Sequence, residues 1–223
     1  MPTAHLPPEA FRDLSTDTRA SGILAIARQR WTRLGELRLD GTPGLLVLEG
    51  IRFPGNLGTI LRTAEAVGVA GVAFLDSCRD PYDVAAVRAS MGSLYDLRLV
   101  RTDAAELIAW ARETDTTLVG TSPRAECDHT TLRDVRRAAL LMGDEREGLS
   151  PDAMQLCDAT VRIPICGRGD SLNVAVATGI VLYELLRGSQ TRVGQPALER
   201  SEHRPTVRGR TAPPPGRPAT GCP

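Results

Sequence analysis

Residues 139–186 read ALLMGDEREGLSPDAMQLCDATVRIPICGRGDSLNVAVATGIVLYELL, and the alternation of segments within them decides the fold. A short apolar run at 139–142 leads through a loop rich in glycine and acids into a helical pattern over 151–157. A second apolar run at 160–163 leads through a Gly-Arg-Gly-Asp loop into a long helical pattern over 172–186. Continuous apolar strands that alternate with helices are typical of a parallel sheet covered on both faces.

The same alternation begins near Leu45 and predicts an α/β domain over residues 41–187. The other predicted strands are 45–48, 72–75, 97–100 and 117–119, and the other predicted helices are 57–67, 84–91 and 104–113. Asp103, Ser150 and Ser171 stand where a helix N-cap is expected, and Ser150 is followed by a proline. Gly68 stands where a helix C-terminus favours a left-handed residue.

Two flanking segments differ from this domain. Residues 1–40 predict a short N-terminal extension with a helical pattern over 21–37, in which apolar side chains recur near helical spacing. Residues 188–223 are rich in Pro, Gly and Arg and poor in core-forming side chains, so we predict a disordered tail. With six Arg and two Glu, that tail is either a solvated extension or a non-specific RNA arm.

The composition excludes several classes of protein. The 223 residues carry a formal net charge of zero, which neither requires nor forbids an RNA partner, and every basic side chain is Arg. The five cysteines are scattered without a CxxC pair, which argues against a zinc site or a disulfide scaffold and favours the cytoplasm. The sequence contains neither a signal-peptide pattern nor an apolar run of membrane-spanning length. We therefore expect no metal and no membrane partner.

The pattern of strands and helices by itself suits a nucleotide-binding Rossmann oxidoreductase. The turn after the first predicted strand, however, reads EGIRFPGNLGT over 49–59 and lacks the G-x-G-x-x-G fingerprint. The glycines cluster after early and late strands alike, which argues against this alternative.

Three polar clusters follow predicted strands. In the first, FPGNLGTILRTAE over 53–65, Asn56 can cap a helix and Arg62 can reach a phosphate near the same end. In the second, LMGDEREGLS over 141–150, Gly143 would let a ligand approach the backbone, and Glu145 can bind a hydroxyl or position an arginine. In the third, IPICGRGDSLNV over 163–174, Asn173 is a poor helix former, so its side chain is expected to have another role. Each cluster alone is also compatible with ordinary capping and solvated charges.

Taken in order, the set N-L-G-x-x-x-R at 56–62, G-x-E-x-x-G-L at 143–149, and I-P-I at 163–165 followed by S-L-N-V at 171–174 resembles a known family. It is similar to the three motifs of the SpoU (TrmH-like) RNA 2′-O-methyltransferases of the SPOUT superfamily. The resemblance covers residues 45–187 and includes the segment at 87–92. It implies an α/β domain whose parallel sheet is flanked by helices and ends in a deep C-terminal trefoil knot, a topology that general folding rules disfavour.

The resemblance also implies an enzyme that uses S-adenosylmethionine, acts on structured RNA (rRNA or tRNA), and works as a homodimer with its first motif near the dimer interface. The implied catalytic residues are Asn56, Arg62, Glu145, Ser171 and Asn173. The implied cofactor-binding residues are Thr121, Ser122, Gly143, Ile163, Ile165 and Leu172. Many relatives have Ser where this chain has Ala175, which weakens a hydrogen-bonding role at that position.

The chemistry explains these residue types. A ribose 2′-hydroxyl must lose its proton before it attacks, and positioned proton transfer contributes about 10²–10⁴-fold in rate. Holding two reactants in line contributes on the order of 7–11 kcal/mol. We expect Arg62 to bind an RNA phosphate and to activate the hydroxyl, alone or with that phosphate as base. Asn56 and Asn173 would orient the ribose and the loops, and Glu145 would hold the arginine or the loops. A catalytically inactive RNA-binding module is the alternative.

Overall fold

The computed structural model describes residues 3–14, 22–75 and 78–193, and its centre is a seven-stranded sheet in which every pairing is parallel. The strands are β1 (Leu45–Leu48), β2 (Gly71–Phe74), β3 (Leu99–Arg101), β4 (Thr117–Thr121), β5 (Cys127–Asp128), β6 (Ala138–Met142) and β7 (Ala159–Arg162). Their order across the sheet is β3-β2-β1-β6-β4-β7-β5. The α/β prediction with a parallel sheet is thereby confirmed.

The helices alternate with the strands along the chain. They are α1 (Pro8–Leu14), α2 (Pro54–Val67), α3 (Val84–Ala89), α4 (Ala104–Glu113), α5 (Pro151–Gln155) and α6 (Val174–Val193). Among the described helices, none is long and apolar enough to cross a membrane.

The sheet is buried on both faces. Neighbouring side chains of one strand point to opposite sides of the sheet, and helices cover each side. In β1, Leu46 and Leu48 join a core cluster with α2 and α6, whereas Leu45 and Val47 join a second cluster with α4 and α5. All four side chains have no exposed surface. Full burial of such a side chain contributes about 1.5–3 kcal/mol, so the central strand is held from both sides.

Between residues 41 and 187 the predicted strands and helices are confirmed, with ends that differ by at most three residues, except that the last helix extends further at its C-terminal end. The 104–113 helix matches α4, and Asp103 caps it as predicted, since Asp103 Oδ1 accepts a hydrogen bond from Glu106 N at 2.8 Å. Ser150 Oγ likewise accepts one from Ala153 N at 3.1 Å, and Gly68 ends α2 in the left-handed region at φ 74°. Strand β5 was not predicted, because its two residues are too few to give a pattern.

The predicted helix at 21–37 is wrong. Within the described part of that range, residues 22–33 form no helix, and the side chains of Ile23 and Ile26 are 82% and 92% exposed. Thr32 N instead donates to Leu99 O at 2.7 Å, so the chain runs parallel to β3 along the edge of the sheet. That backbone hydrogen bond ties the segment to the sheet at Thr32 without a buried helical face.

The tail boundary also differs from the prediction. Helix α6 continues past residue 188 to Val193, and at Gly188 a side chain would meet the backbone of Arg133, with a Cβ only 2.3 Å from Arg133 O. Arg133 also hydrogen-bonds to Glu184, and this contact lowers the pKa of the Glu184 carboxyl below its ordinary value. These contacts of Glu184 and Gly188 with Arg133 hold α6 at the predicted boundary, and the helix continues beyond it. The remaining part of the predicted disordered tail, residues 194–223, lies outside the described residues.

The close crossing of α2 and α3 yields a first prediction. A Cβ at Gly58 would lie 2.3 Å from Ala89 Cβ and 2.7 Å from Ser90 N. Gly58→Ala is therefore expected to lower the free energy of unfolding by about 1–3 kcal/mol, although alanine favours helix. The measurement is urea denaturation followed by circular dichroism.

Gly55 on the same helix is the matched control, because nothing lies within 4 Å of a Cβ at that position. Gly55→Ala should leave the stability unchanged or raise it slightly. Equal losses in the two variants would contradict the assigned packing role of Gly58.

Candidate active site

Three loops meet at the carboxyl edge of the sheet. They follow β1, β6 and β7, and they are the three clusters that the sequence analysis identified. Strands β1 and β6 are neighbours, and β7 is separated from β6 only by β4. In parallel sheets, ligands bind at this edge because all loops after the strands open there.

A triangle of hydrogen bonds joins the loops. Asn56 Nδ2 donates to Glu145 Oε2 at 2.9 Å, and Asn173 Nδ2 donates to Glu145 Oε1 and to Asn56 Oδ1, each at 3.0 Å. Each motif thus contributes one member. Hydrogen bonds to a charged acceptor are stronger than neutral ones, so Glu145 is the strong centre of this set.

Asn56 is free to join the triangle because it does not cap its helix. Helix α2 begins at Pro54, and its N-cap residue is Phe53, which makes no side-chain cap. A proline suits the first helical position because its missing N–H would have no partner there. The prediction that Asn56 caps α2 is therefore wrong, and its side chain is used between loops instead.

Asn173, rather than Ser171, caps α6. Asn173 Oδ1 accepts hydrogen bonds from Ala175 N at 2.9 Å and from Val176 N at 3.3 Å. The prediction that Ser171 caps the helix is wrong, because α6 begins only at Val174. The expectation that Asn173 has a role beyond its helix is confirmed, since its Nδ2 reaches the other two motifs.

The loop after β6 is closed on itself. Asp144 N donates to Gly148 O at 2.9 Å, and Gly148 N donates to Asp144 O at 3.0 Å. A Cβ at Gly143 would lie 2.1 Å from the Gly148 carbonyl carbon, so only glycine allows this approach. Glu49 at the end of β1 holds the far end of the loop, accepting from Ser150 N at 2.9 Å and from Ser150 Oγ at 2.7 Å.

The turn also fixes a negative charge. Asp144 Oδ1 accepts from Arg146 N at 2.8 Å and from Glu147 N at 3.2 Å. The hydrogen bond from Arg146 is the main cause that lowers the pKa of the Asp144 carboxyl below its ordinary value, and Arg52 acts in the same direction. Asp144 therefore stays ionised at neutral pH.

A cavity of about 190 Å³ lies beside the triangle, and it opens to solvent. All six residues predicted to bind a cofactor line it: Thr121, Ser122, Gly143, Ile163, Ile165 and Leu172. Glu145 and Ser171 line it as well. Its volume is below the range of about 300–1,000 Å³ usual for small-molecule sites, so a ligand of that class would extend over the rim.

The lining includes residues that the sequence analysis did not single out. Asp144, Glu147 and Asp170 add carboxylates, and Met142, Val161 and Val174 add apolar surface. The D-x-x-x-G spacing of 144–148 is the signal that could have revealed the turn, because Asp accepts local backbone hydrogen bonds and Gly148 adopts φ 73°. In the sequence, residues 142, 161 and 174 look like ordinary core positions and give no sign of a ligand.

Arg62 lies apart from the triangle. It is exposed on α2, it does not line the cavity, and within the described residues no hydrogen bond or ion pair involves its side chain. Of the five predicted catalytic residues, Asn56, Glu145 and Asn173 are joined in one chain and Ser171 lines the cavity, whereas Arg62 lies apart. Over the described part of the chain, no group of three or more His, Cys, Asp or Glu side chains is placed to hold a metal ion.

The part of the chain that builds this site is similar to known proteins. A model of the SpoU rRNA Methylase family matches residues 43–183. The chain is 40% identical over 140 residues to a 23S rRNA (uridine(2479)-2′-O)-methyltransferase of Streptomyces viridochromogenes, covering 60% of this chain and 49% of that protein. It is 36% identical over 189 residues to the 23S rRNA (guanosine-2′-O-)-methyltransferase RlmB of Bordetella pertussis, covering 82% and 76%.

A solved structure agrees with these relatives. The AdoMet-bound rRNA methyltransferase from Sinorhizobium meliloti matches with a TM-score of 0.67 and 34% identity, covering 75% of this chain and 63% of that chain. The chain thus spans about half the length of the Streptomyces relative and less than two thirds of the Sinorhizobium chain.

The two candidate caps of α6 give a second prediction. Asn173→Ala removes two hydrogen bonds to backbone N–H groups and two to the other motifs, so we expect the free energy of unfolding to fall by about 1–2 kcal/mol. Ser171→Ala should change it by less than about 0.5 kcal/mol, because Ser171 is exposed and does not cap α6. Urea denaturation compares the two variants, and a larger loss in Ser171→Ala would contradict the capping assignment.

Proposed function

Because the chain belongs to the SpoU rRNA methylase family, we propose that it transfers the methyl group of S-adenosylmethionine to a ribose 2′-hydroxyl of rRNA or tRNA. The observation that carries this proposal is the hydrogen-bonded triangle of Asn56, Glu145 and Asn173, which joins all three motif loops beside the cavity. We place this reaction in the cytoplasm.

The residues of the cavity fit this cofactor. Ile163, Ile165 and Leu172 give an apolar wall suited to an adenine ring. The carboxylates of Asp144, Glu145, Glu147 and Asp170 suit the positive charges of a sulfonium and an ammonium group. Thr121, Ser122 and the backbone at Gly143 would supply polar contacts around the ring and its ribose.

The chain has two tasks in the transfer. S-adenosylmethionine supplies a methyl group that its sulfonium already activates. The triangle fixes the loops on either side of the cavity, so that the ribose oxygen is held in line with that methyl group. The ribose hydroxyl would lose its proton to an RNA phosphate, and the oxygen would then accept the methyl group that the cofactor supplies. Arg62, with an RNA phosphate, would favour that deprotonation.

We further propose that the chain acts as a homodimer. Helices α2 and α6 pack side by side, and the side chains of Val176 and Tyr183 on α6 are 54% and 51% exposed. An exposed apolar face of this kind suits a self-complementary interface. Arg62 is exposed on the adjoining helix, so a second copy on this face would place it in a site shared by two chains.

The trefoil knot is also a proposal, supported by membership of the family. It would thread the C-terminal part of the domain, from β6 to α6, through a loop of its own chain. Stretching a single molecule by its two ends tests this topology, because a knotted chain stays shorter than its full contour length after unfolding. Extension to the full length would overturn the proposal.

Replacing Arg62 tests the assigned activity. For Arg62→Ala we expect methylation to fall by about 10²–10⁴-fold, because positioned proton transfer is lost. Binding of S-adenosylmethionine, measured by calorimetry, should change little, since Arg62 does not line the cavity. Methylation is measured as tritiated methyl incorporation into RNA, followed by mass spectrometry of 2′-O-methyl nucleosides.

Arg112→Ala is the matched control. Arg112 is exposed on α4, which packs on the opposite face of the sheet, so this variant should methylate normally. Near-normal methylation by Arg62→Ala would refute the role of Arg62. No methylation by the unaltered chain, with RNA binding intact, would favour an inactive RNA-binding module.

A further inference from the structure

A second cavity lies on the same edge of the sheet as the candidate active site. It holds about 430 Å³ and lies at the carboxyl ends of β2 and β3. Both cavities open among loops that follow parallel strands, so both face the same side of the molecule. Strands β1 and β6 separate β2 from β4, and neighbouring strands lie about 4.8 Å apart. A few nucleotides of single-stranded RNA span such a gap.

One wall of this cavity is a fixed stack of Trp31 and Arg101. The guanidinium carbon of Arg101 lies 4.0 Å from the centre of the Trp31 ring. Phe74 and Tyr82 contact the Trp31 ring edge-on, with ring centres 6.1 Å and 5.5 Å away. The Tyr82 hydroxyl donates to Arg30 O at 2.6 Å and accepts from Arg30 N at 3.0 Å, which holds the segment that carries Trp31.

Arg101 is exposed at the end of β3 with its guanidinium stacked on Trp31. Among the described residues, no carboxylate forms an ion pair with it. Arg79, the other arginine of the cavity, is paired with Asp83 at 2.6 Å. Arg101 therefore keeps its hydrogen-bond donors for a ligand, and the Trp31 ring holds its guanidinium plane in place.

The opposite part of the cavity is acidic. Asp80, Asp103 and Glu106 line it. Asp103 Oδ1 and Glu106 Oε2 accept local hydrogen bonds, the latter from Thr102 Oγ1 at 2.9 Å. Three carboxylates disfavour a phosphate group here, because like charges repel. The carboxylates favour a ligand that donates hydrogen bonds along one edge, and Arg101 favours a ligand that accepts hydrogen bonds along another.

We propose that this cavity binds an unpaired guanine base of the RNA substrate, at a nucleotide a few positions from the methylated one. Guanine presents the acceptors O6 and N7 that an arginine contacts in pairs, and its N1 and N2 carry N–H donors that suit the carboxylates. The base lies in the plane of the Arg101 guanidinium, so that O6 and N7 both accept hydrogen bonds from it. The proposal rests on the proposed function for the identity of the substrate, and the guanine site itself is tested without methyl transfer.

The first experiment uses mononucleotides and the fluorescence of Trp31. Trp110→Phe removes the other tryptophan, which lies buried among α4 residues on the far face. Titration with guanosine 5′-monophosphate should give a saturable change, with adenosine, cytidine and uridine monophosphates binding at least tenfold more weakly. Inorganic phosphate should give no change. Equal binding of all four nucleotides, or a response to phosphate alone, would overturn the guanine assignment.

The second experiment uses a fluorescein-labelled transcript of 23S rRNA and measures its affinity for the full chain at several salt concentrations. Arg101→Ala should weaken binding about tenfold. The slope of affinity against salt should stay unchanged, because a base contact releases no counterion from phosphate. A slope reduced by about one would show that Arg101 contacts phosphate, which overturns the proposal.

Arg98→Ala is the matched control. Arg98 is exposed just before β3, at the amino ends of the strands and away from the cavity. Its replacement removes the same positive charge. It should bind the nucleotide and the transcript as the unaltered chain does. An equal loss in Arg98→Ala would reduce the effect to net charge and overturn the site. If guanosine binding is lost only in Arg101→Ala while the unaltered chain methylates no RNA, the guanine site stands and the proposed function fails.

Discussion

The hydrogen bonds among Asn56, Glu145 and Asn173 are the constraint on which the candidate site depends. The three residues are separated by 89, 28 and 117 positions along the chain, so no local structure holds them together. The carboxylate accepts one amide donor on each oxygen, and the two amides bond to each other. Each group thus satisfies the others, and the loops that carry them are held in one arrangement. That arrangement places the loops after β6 and β7 where they form a wall of the cavity.

The sheet and its helices could be predicted from the sequence because the apolar runs are continuous and well punctuated. The run Leu45–Leu48 is buried on both faces, as its composition indicated, and Asp103 caps α4 as its position indicated. The helix predicted around Ile23 and Ile26 failed because periodicity shows only that a segment could bury one face. It does not show whether a partner surface exists, and here a single backbone hydrogen bond from Thr32 to β3 ties the segment to the sheet instead.

The sequence predicted which residues belong to the site better than it predicted the contacts that hold them together. Asn56, Glu145 and Asn173 were identified from motifs, but the caps of α2 and α6 were assigned to the wrong residues. Asn56 was assigned to the cap of α2, which begins before it at Pro54, and Ser171 to a cap that Asn173 provides. Side-chain direction decides these cases, and one-dimensional spacing does not contain it. Arg62 shows the same limit. The motif marked it as a catalytic residue, but in a single chain its side chain lies exposed on α2 and apart from the triangle.

The segment around Thr32 has an effect on how copies of the chain can meet. By pairing with β3, it covers backbone groups that would otherwise be open at one border of the sheet, and at the other border β5 presents only two residues. Uncovered borders of this kind recruit strands from other molecules and lead to aggregation. With both borders blunted, the sheet resists extension from one molecule to the next.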